Sequence, residues 1–120
     1  MPSQCLDKNI KITPSKGRVT VTFDGQIIAD SVRALDLDEP GAPLRVYIPA
    51  EDVDPNVLMP SATHSTCPYK GIASYQTLKS ANAEAKDAVW YYPDPCPLVE
   101  PIRDCFAFWG DQISYATTPA

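Results

Sequence analysis

The sequence predicts a mainly β protein, a small single-domain complex β-barrel or bent sandwich with few short helical turns. Three observations carry that expectation. Apolar and polar residues alternate over Arg18 to Phe23 and again over Leu44 to Ile48, the period-two pattern of half-buried strands. Turn signals such as Asp24-Gly25, Pro40-Gly41 and Gly110-Asp111 recur between short apolar runs. Thirteen prolines in 120 residues cut the chain into pieces too short for long helices, because proline removes a backbone donor and clashes inside one.

In chain order, residues 1–15 read as an N-terminal tail or added edge, and 16–120 as the β domain. Val19, Val21 and Phe23 share one face of the first clear strand. Asp24-Gly25 then suits a type I′ hairpin turn, which needs positive φ at both central positions, and Gln26 to Ala29 return as its partner. Ala34 to Leu37 is a short strand, and Asp38 to Pro43 a loop. Next, Leu44, Val46 and Ile48 turn one way while Arg45 and Tyr47 turn the other, until Pro49 ends the strand. Asp52 to Met59 has room for one helical turn, with Asp54 as N-cap and Pro55 at the first helical position. Cys67-Pro68 bends the chain, Gly71 bends it again, and Ile72 to Leu78 runs extended. Lys79 to Asp87, small and charged, reads as a loop tip. Ala88 to Tyr92 is an aromatic strand with Val89 and Tyr91 on one face and Trp90 and Tyr92 on the other. Asp94 to Pro97 is a rigid connector. Cys105 to Trp109, a Gly110-Asp111 turn and Gln112 to Tyr115 read as a closing hairpin.

Composition excludes several classes of function. A net charge of −5 argues against nucleic acid, whose affinity rests on Lys and Arg neutralising phosphates. No apolar run approaches the roughly 20 residues of a membrane helix, and Met1 to Lys11 lacks the apolar centre of a signal peptide. The cysteines Cys5, Cys67, Cys96 and Cys105 are irregularly spaced, with no C-x-x-C pair to announce zinc. A cytoplasmic chain with four free thiols, no metal and no cofactor is the plain expectation.

The densest gathering of reactive groups is Thr63 to Tyr75, reading T-H-S-T-C-P-Y-K-G-I-A-S-Y. Lys70 stands beside Cys67, Tyr69 and Tyr75. It suits an anchor for a carboxylate or phosphate or, if desolvated, a base or imine-forming amine; the bland alternative is a lysine whose stem covers apolar surface. Cys67 gains nucleophilic character only beside a positive charge, and packing is the stronger reading for it. His64, the chain's one histidine, has neutral-pH acid/base chemistry but no second imidazole as a partner. Tyr47, Tyr75, Trp90 and Tyr92 are expected to form a polar-aromatic wall suited to a flat or apolar small ligand.

The same window resembles the family catalogued as domain of unknown function 427. The residues that carry the resemblance begin with Gly25, Ala29-Asp30-Ser31, Tyr47 with Pro49, and Asp52-Val53. Cys67-Pro68-Tyr69-Lys70-Gly71 with Ala73 and Tyr75, and Trp90-x-Tyr92-Pro93, complete the set, which spans residues 18–109. Thr66 departs from the pattern, standing before the cysteine where many relatives carry histidine. The resemblance implies a β fold of the β-tent kind, related in architecture to zinc-binding and methionine-sulfoxide-reducing modules whose zinc cysteine pairs this chain lacks. It also gives Asp30 and Asp52 weight as site carboxylates, although Asp52 also suits a cap for the turn after Pro49. Some catalogues attach a nucleotidyltransferase label to the family, but no glycine-serine loop with paired metal aspartates occurs here.

Two functional readings follow. One is a cofactor-free enzyme of isomerase, cyclase or lyase type acting on a small organic substrate, with Lys70 on a carbonyl or carboxylate and Tyr75, Tyr47 or Tyr92 moving protons. The other is a non-catalytic module that binds a small molecule or a protein partner through the same residues. The Phe106 to Trp109 segment, read as an aromatic edge strand, would be covered by a homodimer.

Overall fold

A computed structural model describes residues 5–119, which form ten strands in two antiparallel sheets. The larger has seven strands in the order β1-β4-β5-β9-β8-β7-β6, and the smaller three in the order β10-β2-β3. The fold is mainly β with short 3-10 turns, as the alternation and the prolines require. The two ends of the large sheet, β1 and β6, do not pair, so the described residues form an open two-sheet structure and no closed barrel.

The small sheet is built on β2 (Arg18–Phe23) and β3 (Gln26–Ser31). Asp24 at φ 52° and Gly25 at φ 73° make the tight turn between them. Its third strand is β10 (Ile113–Thr118), paired with β2. The expected closing hairpin therefore does not form. β9 (Cys105–Phe108) lies in the large sheet between β5 and β8, and the chain crosses to the other sheet after Trp109. All four residues of β9 are buried, so it is no edge, and the argument for a dimer built on such an edge lapses.

The remaining strands of the large sheet are β1 (Lys11–Pro14), β4 (Leu35–Asp38), β5 (Arg45–Pro49), β6 (Leu58–Cys67), β7 (Gly71–Lys79) and β8 (Glu84–Tyr91). Two of them correct the sequence reading. β6 extends through residues expected to be helical turn and loop, and the expected loop tip at 79–87 is confined to residues 80–83, with Lys79 in β7 and 84–87 in β8. The helical turn itself is a 3-10 turn at Pro55–Val57, where the Asp54 carboxylate accepts from the Asn56 N–H.

Strand parity divides the core in two. Val46, Ile48, Val89, Tyr91, Phe106 and Phe108 face the small sheet and pack with Val19, Val21, Phe23 and Ile28. Leu44, expected on that face, is instead 56 % exposed just before β5. The alternate residues Tyr47, Ala73, Trp90, Tyr92, Cys105 and Ala107 face the opposite side of the large sheet. There they meet Ile10, Val99 and Ile102 from the N-terminal segment and the 3-10 stretch Pro97–Ile102.

That second layer is stapled. Cys5 and Cys96 form a disulfide, which corrects the expectation of four free thiols and removes the cysteine part of the argument for a reducing compartment. Cys67 and Cys105 are free. Nearby, Leu6 N–H donates to Pro68 O and Cys96 N–H to Lys70 O. Gly71 makes this close approach possible. At φ 121°, a Cβ there would sit 3.2 Å from Asp94 O. Among the described residues no helix is long and apolar enough to cross a membrane.

Candidate functional site

The second core layer covers only part of its sheet face. The uncovered part is a cleft of about 450 Å³, floored by β5, β8 and β7 and rimmed by the loop after β4. β9 passes between β5 and β8, and Ala107, opposite Trp90, contributes only a methyl group. That gap lets Trp90 Nε1–H donate across β9 to Tyr47 Oη at 3.1 Å. Tyr75 stands directly beside Trp90 on β7. Its hydroxyl is 2.8 Å from Ser65 Oγ on β6.

Five of the nine residues singled out from the sequence line this cleft: Lys70, Tyr75, Tyr47, Tyr92 and Trp90. The other four do not. Cys67 is partly buried and packs against the second core layer. Tyr69 lies outside the lining, with the Lys8 ammonium 4.8 Å above its ring. His64 is exposed on β6, its Nδ1 3.3 Å from Ser74 Oγ. Asp52 is distant in function as well as place. It accepts from Ser31 Oγ at 2.6 Å and Arg33 Nη2 at 3.0 Å, and these bonds hold its carboxyl below the usual range. The Ala50–Asp52 turn has no side-chain cap, so the capping role considered for Asp52 is not the one it plays.

Lys70 is not a free amine. Its ammonium is ion-paired with Glu39, whose other oxygen accepts from Lys8 at 2.9 Å. Burial pushes the Glu39 carboxyl up, but the hydrogen bonds from Lys70 and Lys8 outweigh it and leave it below the ordinary value. The phenols behave differently. Burial pushes Tyr47 up to about 12 despite the Trp90 donor and the nearby Arg45, and burial raises Tyr92 as well. Both stay neutral near pH 7 and present O–H groups as donors rather than bases.

Arg45, Trp109 and Asp87 are among the lining residues that the sequence reading does not single out. Strand parity alone places Arg45 on the Tyr47 face, and its guanidinium lines the cleft. It lies 5.5 Å from the Trp90 ring centroid and 5.9 Å from the Trp109 ring centroid. Trp109, 65 % exposed, stands just beyond β9. Asp87 sits at φ 54° opposite a bulge in β7, its carboxylate accepting from Ser61 Oγ at 2.5 Å and Thr63 Oγ1 at 2.7 Å. Those two bonds hold the Asp87 carboxyl below its ordinary value. Among the described residues, no three His, Cys, Asp or Glu side chains are grouped closely enough to ligate a metal ion.

The sequence model of the family described as Domain of unknown function (DUF427) matches residues 11–118. The chain belongs to that family. No curated protein matches it. Within this DUF427 chain, the residues that carried the resemblance fall into two groups. Tyr47, Lys70, Tyr75, Trp90 and Tyr92 line the cleft. Asp30, Ser31 and Asp52 serve hydrogen bonds and ion pairs elsewhere, Asp30 with Arg18 and the other two with Arg33. Cys67 and Gly71, paired across the turn between β6 and β7, shape the tight connection that delivers Lys70.

Proposed function

We propose that the cleft binds a small organic molecule with a flat apolar part, and that this binding is the chain's function. One observation carries the reading: two tryptophans and three tyrosines from four separate stretches converge on one concave space of ligand size. The aromatic faces supply contact area at low conformational cost, and the neutral phenols of Tyr47 and Tyr92 fix orientation by donating hydrogen bonds. Lys70, ion-paired with Glu39, shapes the wall rather than attacking a carbonyl. An imine-forming or proton-abstracting amine would first have to leave that carboxylate.

Thermal-shift screening of the wild type against a small-molecule panel tests this, with Trp109→Ala and Tyr75→Ala run alongside. Trp109 is mostly exposed, so its truncation spares the core. Stabilising compounds should lose most of their effect in both variants. Hits that both variants retain in full would place the binding elsewhere and end the proposal.

A catalytic reading of isomerase, cyclase or lyase type keeps one supporting observation, the Tyr75–Ser65 hydroxyl pair at the rim. That pair is able to pass a proton to a bound carbonyl oxygen. Mass spectrometry of each hit after incubation decides it. Products made by the wild type and lost in Tyr75→Phe support the enzyme, and unchanged ligand supports the binding module.

A further inference from the structure

We infer that Arg45 is the anion-recognition residue of this cleft and that its ligand is a planar organic acid. The charged end of that acid docks on the guanidinium edge while its ring lies on the aromatic wall. The inference rests on the cleft-binding reading above and narrows it to a chemical class.

The argument starts with what Arg45 lacks. Every other arginine in the chain is ion-paired: Arg18 with Asp30, Arg33 with Asp52 and Glu51, Arg103 with Glu100 and Asp94. Among the described residues Arg45 has no carboxylate and no hydrogen-bond acceptor, only the two indole rings. Aromatic stacking occupies the faces of a guanidinium and leaves its N–H edges unused, and those edges match an oxyanion in bidentate geometry. A partly buried cation held near two aromatic rings, with no acceptor among the described residues, is the arrangement expected of an anion receptor.

Charge around the cleft points the same way. Lys8 and Lys70 share the single carboxylate of Glu39, and Arg45 adds a further cation. Glu39 is thus committed to two ammonium groups, and two hydroxyl donors occupy the carboxylate of Asp87, so neither lining carboxylate pairs with Arg45. On a chain whose net charge is −5, that leaves the guanidinium as the unpaired charge of the lining. An unpaired cation in a cleft favours anions over neutral molecules of the same shape. The ring is inferred from Trp90, Trp109 and Tyr75, aromatic residues that line the same cleft as the guanidinium.

Both tryptophans of the chain line the cleft, so intrinsic tryptophan fluorescence reports on this site alone. The test titrates the wild type with 2-naphthoate, 2-naphthyl phosphate and 2-naphthamide, with calorimetry as a second readout. The acid and the amide share shape and ring and differ in charge, so the comparison needs no variant to fold. The two anions should bind at least about tenfold tighter than the amide, the difference of one bidentate charged contact. Arg45→Gln should abolish that preference, and Arg45→Lys should restore only part of it because the fork is lost.

Equal binding of acid and amide would overturn the anion inference while leaving the cleft reading intact. An acid preference that survives Arg45→Gln would overturn the role of Arg45. Absence of saturable binding by all three probes would overturn both readings together.

Discussion

Removing the Cys5–Cys96 disulfide is the most direct challenge to the structure. The bridge joins residues 91 positions apart, so in the reduced unfolded chain its loss restores the freedom of a loop spanning most of the protein. With the loop-entropy relation, a closed loop of that length is worth about 4.6 kcal/mol at 25 °C. Residual compactness of the unfolded chain lowers this, giving an expected loss of about 3 to 4.6 kcal/mol for Cys5→Ser. For a domain of this size a urea slope of roughly 1.5 to 2 kcal/mol per molar converts the loss into a midpoint lowered by about 2 M. The local contacts say what goes with it: the Leu6–Pro68 hydrogen bond and the Lys8–Glu39 ion pair both lie on the segment the bridge anchors. The assay is urea unfolding of oxidised wild type, of wild type with a dithiol reductant, and of Cys5→Ser. A thiol count on denatured, unreduced protein should find Cys67 and Cys105 and no others. A count of four thiols, or a midpoint that moves by less than about 0.5 M on reduction, would refute the staple.

The buried phenols give a pH signature. Folded Tyr47 is raised from about 10 to about 12, and burial raises Tyr92 too. The folded state then holds more protons than the unfolded chain above pH 10. Stability is therefore full below about pH 10 and falls as pH rises toward 12, by on the order of 2 to 3 kcal/mol for Tyr47 alone. Tyrosinate absorbance against pH, followed with circular dichroism, checks this, and ionisation of all six tyrosines near pH 10 with structure intact would contradict it. Gly71→Ala should cost about 1 to 3 kcal/mol, because the new Cβ meets Asp94 O at 3.2 Å in a left-handed backbone. Gly41→Ala, where a Cβ meets nothing within 4 Å, should cost less in the same urea assay, and equal losses would show that the contact with residues 94–96 carries no energy.

What the sequence made legible was parity. Period-two alternation does not depend on partners, so it placed Arg45 and Tyr47 on one face of β5 and Trp90 and Tyr92 on one face at β8 without any knowledge of pairing. Partners were harder. β6 is exposed or half-buried along its whole length, contains Pro60 and pairs with β7 through a register break, so it shows no alternation and looks like loop. The Gly110-Asp111 turn signal was real, but a turn does not say whether the chain re-enters the same sheet, and here it leaves for the other. The Cys5–Cys96 pairing had no local signature, since cysteine spacing alone does not fix connectivity.

The site follows from the same distinction. Lysine and tyrosine richness drew attention to Thr63 to Tyr75, yet that window holds only two lining residues, Lys70 and Tyr75. The rest come from β4 and the loop after it, from β5, from β8 with Tyr92 just beyond it, and from Trp109. The structural reason the β5 and β8 residues meet is a small residue on the strand between them. Ala107 is buried and bears one methyl group where β9 runs between Tyr47 and Trp90. A larger side chain there would occupy the space that Trp90 Nε1–H crosses to reach Tyr47 Oη. The aromatic wall would then separate into two halves, and one of the rings that orient the Arg45 guanidinium would shift. The chemistry-bearing residues supply the contacts, but an alanine with no chemistry of its own decides that they form a cleft.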